Sequence, residues 1–190
     1  MRLFIATSFP AAVTAPMNER VGRVKPRLPA ASWVRPEAQH LTFAFLGEQL
    51  QAIVDTLLPL LETRLTAIAP FDAELRGCGF FPNARHARVG WVGAEPREQF
   101  VTLASAVRDA VSSAGITLDG GEFRPHLTLL RIRDRWPPMS IETFERTFRD
   151  FASPPFRVTA VTLFSSKLGA GGAVHTALRE VSLSDASSLP

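Results

Sequence analysis

The chain has 190 residues, of which 46% are hydrophobic and 21% charged, and its formal net charge is +3. This length suits one domain with a sizeable core, and the composition excludes a mainly disordered or fibrous protein. The single cysteine, Cys78, excludes an internal disulfide and a cysteine-rich metal site, while no apolar stretch reaches the length of a membrane span. We therefore expect a soluble cytoplasmic monomer, and its mild positive charge is compatible with a polyanionic ligand.

The first part of the chain predicts the order strand, helix, strand, helix. The stretch RLFIATSF is rich in strand-forming residues and stops at Pro10. Apolar residues then recur at helical spacing at Val13, Met17, Val21, Val24 and Leu28. A proline-punctuated loop leads to a strand that begins at His40 and closes at Gly47. A second helix is expected from about Gln49 to Leu65, with Pro59 kinking or dividing it.

The rest of the chain alternates hairpins with helices. Two strands separated by PNAR predict a hairpin, and Pro96 is suited to start a third helix. The inward face of that helix is expected to carry Phe100, Leu103, Ala104, Val107 and Val111. A strand begins at His126, Ser140 is expected to cap a short helix, and two strands joined by LGAGG close the chain. This order predicts an α+β fold, with residues 1–183 as one domain and 184–190 as a frayed tail.

The tripeptide His-Leu-Thr occurs twice, at residues 40–42 and 126–128, in a chain that has only four histidines. Because side chains alternate across a strand, each histidine shares a face with the threonine two positions on, while the leucine points the other way. If the leucine faces are buried, both polar pairs are free to face one another. The pattern therefore predicts that His40, Thr42, His126 and Thr128 meet at a central cleft.

Two imidazoles and two hydroxyls facing one phosphate suit the opening of a cyclic phosphodiester. One imidazole accepts a proton from water and the other donates one to the departing oxygen, while the hydroxyls donate to the phosphate oxygens. This chemistry requires no metal and no other cofactor. A metal site built on His40 and His126 is less favoured, because no carboxylate or cysteine accompanies either motif at ligand spacing.

Four segments together resemble one known family. They are RLFIATSFP, SWVRPEAQHLTFAFLGE, FRPHLTLLR and VTLFSSKLGAGGAVHTAL, and they span nearly the whole chain. The sequence is similar to the 2H phosphoesterase superfamily, and within it to the bacterial and archaeal RNA 2′,3′-cyclic phosphodiesterases, also known as 2′-5′ RNA ligases. The resemblance implies a bilobal fold with two pseudo-symmetric antiparallel sheets, helices on the outer faces and a central cleft. It also implies substrates that are cyclic nucleotides or RNA with 2′,3′-cyclic phosphate ends.

The same resemblance implies roles for individual residues. His40 and His126 would be the acid and base, with His126 activating water and His40 protonating the 3′ oxygen to leave a 2′-phosphate. Thr42 and Thr128 would contact the phosphate. Arg131 matches an arginine that lies near the phosphate in the family, but strand alternation puts it on the face opposite His126 unless a bulge intervenes. The alternatives are ligation of 2′-5′ linkages, hydrolysis of other cyclic phosphates, and a module that binds RNA ends without turning them over.

The chain departs from the family in the loop after its last glycines, where Ala173 and His175 stand in place of the usual Pro and Tyr. Base or RNA contacts inferred there are therefore open. Among the other aromatic residues, Phe80, Phe81 and Trp91 are expected to pack within their hairpin rather than to bind bases. Trp33 is a candidate for the cleft lining.

Overall fold

The computed structural model describes residues 1–169 and 172–184, in which nine strands and four α-helices form. The strands are β1 (Arg2–Ser8), β2 (Ser32–Trp33), β3 (His40–Glu48), β4 (Phe71–Phe81), β5 (Val89–Glu95), β6 (His126–Arg131), β7 (Phe156–Val158), β8 (Ala160–Gly169) and β9 (Gly172–Ser182). The helices are α1 (Ala11–Val24), α2 (Ala52–Leu65), α3 (Arg97–Ser113) and α4 (Pro138–Phe148). The expected tail falls largely on residues 185–190, which lie outside the described part of the chain.

The strands form one antiparallel sheet in the order β7-β4-β5-β6-β3-β1-β8-β9, with β2 attached to β6. Among the described residues, the two halves of the sheet meet at one backbone pair, Leu41 of β3 and Leu127 of β6. The predicted α+β class with antiparallel strands is therefore confirmed. The two expected sheets are the two halves of one continuous sheet, and the bilobal description stays a prediction.

The helices cover the sheet face opposite to the two motif histidines. Leu41 and Leu127 are fully buried and share one hydrophobic cluster with residues from every helix. The expected inward face of α3 is confirmed, since Phe100, Leu103, Ala104, Val107 and Val111 are all at most 1% exposed. Burial of these aliphatic and aromatic side chains supplies the main driving force for packing helices on this face.

Three local expectations need correction. The helix predicted to begin at Ser140 begins at Pro138, and Ser140 lies inside it, because Pro137 and Pro138 fix backbone angles suited to a helix start. Pro59 lies inside α2, so it does not divide the helix, and the alternative of a kink stays a prediction. The first helix ends at Val24 and continues only as a short 3₁₀ turn at Lys25–Arg27, so Leu28 lies beyond it.

Candidate active site

The pairing of Leu41 with Leu127 brings the two His-Leu-Thr segments together. Because β3 and β6 run antiparallel, this pair places His40 on the Thr128 side and His126 on the Thr42 side. All four polar side chains are partly exposed on the face opposite to the buried leucines. The structure thus brings the four residues into one array with approximate two-fold symmetry.

Each motif histidine is held by the same backbone contact. Nδ1 of His40 lies 2.8 Å from the carbonyl oxygen of Ala38, and Nδ1 of His126 lies 2.7 Å from that of Arg124. A carbonyl oxygen can only accept a hydrogen bond, so Nδ1 carries the proton in both rings. Nε2 is therefore the atom of each ring that can take up or release a proton.

Aromatic side chains fix the orientation of both imidazoles. The His40 ring lies 4.8 Å from Phe4 and 5.1 Å from His175, which meets it edge to face at 86°. The His126 ring lies 4.8 Å from Phe81, again edge to face at 82°. Edge-to-face contacts of this kind restrict ring rotation and remove much of the ring from water.

The surroundings of both imidazoles favour their neutral forms. Burial lowers the pKa of His40 from 6.5 to about 4, against the opposing effect of its backbone hydrogen bond. Positive charge on His175, Arg131 and His126 lowers the pKa of His40 further. Burial also lowers the pKa of His126, with a smaller contribution from Arg131. Both rings are therefore neutral at pH 7.

A bulge in β6 returns Arg131 to the histidine face. Thr128 pairs with Trp91 and Leu130 with Gly90, so two steps along β6 match one step along β5. Leu129 and Leu130 are consequently both buried, and the exposed Arg131 falls on the same face as His126. This bulge is the condition that alternation had required for Arg131 to share the face of His126.

The first motif has an equivalent bulge, which exposes Phe45. Thr42 pairs with Ala6 and Ala44 with Ile5, so β3 also carries one extra residue. Phe45 returns to the histidine face and is 65% exposed. It was missed from the sequence, although it stands five positions after its histidine, as Arg131 does after His126.

His175 reaches the site from β9, which is three strands away from β3 in the sheet order. Its ring contacts Phe4 at 4.9 Å as well as His40. Within the described residues its Nδ1 is buried without a hydrogen-bond partner, and burial lowers the pKa of His175. This third histidine therefore contributes to the surroundings of His40 and leaves those of His126 unchanged.

Other residues considered from the sequence lie elsewhere. Trp33 packs against the hydrophobic core, and His86 is exposed in the β4–β5 connection. Arg124 is exposed and pairs with Glu122 at 3.2 Å. Across residues 1–169 and 172–184, no group of three or more His, Cys, Asp or Glu side chains is arranged to hold a metal ion. In the same part of the chain no helix has the length and apolar character needed to span a membrane.

Comparison with known proteins identifies the family. An RNA 2′,3′-cyclic phosphodiesterase of Thermus thermophilus is 32% identical over 191 residues, covering 96% of this chain and 90% of the relative. Another, from Thermotoga maritima, is 28% identical over 185 residues, covering 95% and 94%. A crystal structure of a Thermus thermophilus protein is 32% identical with a TM-score of 0.79, covering 98% of this chain and 100% of that one.

Escherichia coli LigT complexed with 3′-AMP is 26% identical to the chain with a TM-score of 0.75, covering 96% of this chain and 97% of that one. A family model described as the 2′-5′ RNA ligase superfamily matches residues 15–170. That match spans most of the sequence and includes both His-Leu-Thr segments. The chain belongs to the 2′-5′ RNA ligase superfamily.

Proposed function

We propose that the chain hydrolyses 2′,3′-cyclic phosphate ends of RNA, using His40 and His126 as its acid and base. The observation that carries this proposal is the pair of imidazoles on either side of the Leu41–Leu127 contact, each with Nδ1 bound to a carbonyl and Nε2 available. Relatives that share most of the chain are RNA 2′,3′-cyclic phosphodiesterases. The 3′-AMP complex of LigT supports a nucleoside phosphate as the ligand class.

In the proposed reaction, water attacks the phosphorus atom and gives its proton to Nε2 of His126. The bond from phosphorus to the 3′ oxygen breaks, and Nε2 of His40 protonates that oxygen, leaving a 2′-phosphomonoester. The ring that gained a proton and the ring that lost one then exchange with solvent. Thr42 and Thr128 donate hydrogen bonds to the non-bridging oxygens, and the Arg131 guanidinium stabilises the negative charge that grows on them.

The resting protonation of the site bears on this assignment of roles. Because its pKa is lowered to about 4, His40 is neutral at pH 7. For His40 to act as the acid, the bound cyclic phosphate must raise its pKa, as a neighbouring negative charge does. The opposite assignment, with His40 as base and His126 as acid, requires the same rise at His126, whose pKa is also lowered, and is kept as the alternative.

Phe45 is the proposed platform for the base of the terminal nucleotide. Its exposed ring lies on the histidine face, beyond Thr42 along β3. RNA-binding proteins commonly stack unpaired bases on exposed aromatic rings of a sheet. We propose that Phe45 fixes the ribose and its cyclic phosphate relative to the two imidazoles by holding the base.

The reverse reaction uses the same groups. Formation of a 2′-5′ linkage from a cyclic phosphate requires a hydroxyl of a second RNA strand in place of water, and the family model carries the name of that activity. Hydrolysis is the better supported direction, because the similar relatives are named for it. A monomer in the cytoplasm, acting without a metal, stays a prediction.

The test uses purified chain with excess EDTA and adenosine 2′,3′-cyclic phosphate, with the product identified by ³¹P NMR. We expect adenosine 2′-phosphate, and we expect His40→Ala and His126→Ala each to lower kcat roughly 10²- to 10⁴-fold, the usual worth of a positioned acid or base. His86→Ala is the matched control, because this exposed histidine lies outside the site. Full turnover in either motif variant, or dependence on an added metal, would contradict the proposal.

A further inference from the structure

On the sheet surface beside His126, the indole of Trp91 packs directly against the backbone of neighbouring glycine residues. Trp91 on β5 pairs with Gly79 on β4, and a Cβ added at Gly79 would come within 2.4 Å of the Trp91 ring. A Cβ added at Gly93 would be 3.6 Å from the same ring. Because both neighbouring positions are glycine, the indole rests against the sheet instead of standing away from it.

This indole faces the same side of the sheet as the motif residues. Trp91 pairs directly with Thr128, and directly opposed residues of an antiparallel pair point to the same face. Its ring lies 6.4 Å from that of His126 and 5.3 Å from that of Phe81, at 32° to the latter. Trp91 and Phe81 are both partly exposed, so together they form a continuous aromatic surface beside the phosphate site.

Packing within the hairpin leaves one polar atom of Trp91 unpaired in the part of the chain that the structure describes. Trp91 Nε1 is buried without an acceptor among the described residues, which costs free energy that a phenylalanine would avoid. The larger ring is therefore better explained by the area that it presents. Arg76 pairs with Gly93, two positions along β5 from Trp91, and its side chain is 59% exposed.

We propose that Trp91, extended by Phe81, is a second base-stacking subsite that receives the nucleotide preceding the cyclic phosphate end. The proposal rests on the proposed function. The base attached to the cyclic phosphate occupies Phe45, and Trp91 lies two strands away on β5, with β6 between them, so the two rings receive different bases. Filling both aromatic surfaces therefore requires at least two nucleotides, so the substrate class is the end of an RNA strand rather than a free cyclic nucleotide.

The test compares adenosine 2′,3′-cyclic phosphate with the dinucleotide ApA that ends in the same cyclic phosphate. For turnover we expect kcat/KM to be roughly 10-fold or more higher for the dinucleotide, within the range that stacking of one base provides. Trp91→Leu fills the space above Gly79 without a π face and should remove this preference. Trp91→Phe keeps an aromatic face and is the matched variant that should retain most of it.

Binding of the corresponding 2′-phosphate products, measured by calorimetry, separates this proposal from the reaction itself. The subsite is supported if the wild-type chain binds the dinucleotide product more tightly than the mononucleotide product and Trp91→Leu abolishes this difference. That result would hold even if neither cyclic substrate were turned over, in which case only the proposed function would fail. Equal affinities of the wild-type chain for the two products would overturn the subsite. The subsite would also be overturned if Trp91→Leu lowered the affinity for both products equally, because Trp91 would then only support His126.

Discussion

The buried, neutral state of His40 makes the stability of the fold depend on pH. The pKa of His40 is about 4 in the folded chain and 6.5 for the free side chain, so between these values the unfolded chain binds more protons. Stability supplied by the neutral ring is therefore complete above pH 6.5 and is lost as the pH falls towards 4. With these two pKa values, proton linkage lowers the free energy of unfolding by about 2 kcal/mol at pH 5 and by about 3 kcal/mol below pH 4.

The assay is urea unfolding followed by tryptophan fluorescence at pH 7.5 and pH 5, on the wild-type chain and on His40→Gln. Because the variant lacks the titrating ring, its free energy of unfolding should fall by about 2 kcal/mol less than that of the wild type between pH 7.5 and pH 5. His86→Gln replaces an exposed histidine and should behave like the wild type. The same loss in the wild type and in His40→Gln would refute the reasoning, because the cost of protonating His40 would then be absent.

Three further predictions concern the reaction. Thr128→Val should lower kcat/KM roughly 10- to 100-fold, the worth of one hydrogen bond to a charged oxygen, and Thr128→Ser should restore most of it; unchanged kinetics would remove Thr128 from the site. The pH profile of kcat/KM should peak below pH 6.5, because both motif histidines have lowered pKa values, and a plateau from pH 6.5 to 8 would contradict this. With sulfur as the 3′ bridging atom, the leaving thiolate needs no proton, so His40→Ala should lose less activity on that substrate than on the oxygen ester; an equal loss would assign the acid to His126.

Much of the fold follows from periodicity along the chain. The helical spacing of Phe100, Leu103 and Val107 and the alternation in both His-Leu-Thr strands reflect local rules, because burial repeats with the period of each element. The helix start at Pro138 is also set locally, by Pro137 and Pro138, although Ser140 is a residue type that favours the N-cap and so predicted a later start. Local patterns therefore give the elements and the polar face of each motif strand.

The rest of the site depends on pairing between distant strands. The bulges that turn Phe45 and Arg131 onto the histidine face arise where β3 meets β1 and where β6 meets β5, and strict alternation assigns both residues to the wrong face. The contact of His175 with His40 joins strands that are not neighbours in the sheet. Neither kind of contact leaves a signal in the spacing of residues along one strand.

The two motifs share the same backbone features, which position the two imidazole rings. Each has a carbonyl two residues before the histidine, a buried leucine after it and a bulge beyond the threonine. These devices hold both Nε2 atoms alike on one face. In a perfectly symmetric pair the two rings would have equal pKa values. The one Nε2 proton that acid-base catalysis needs would then lie on either ring with equal probability, and only one of these two forms suits a given orientation of the substrate.

The side chains around the two rings break this symmetry. His175 contacts His40 from β9, whereas the corresponding neighbours of His126 are Phe81 and Trp91, which cannot be protonated. Positive charge on His175 opposes a proton on His40 and makes no comparable contribution at His126. Phe45 and Arg131, at equivalent positions after the two motifs, likewise present an apolar ring at one end and a cation at the other. The symmetric backbone thus places the two histidines alike, and the unlike side chains around them give the two rings different surroundings; under the proposed function, this difference is what would set their protonation and the orientation of the RNA end.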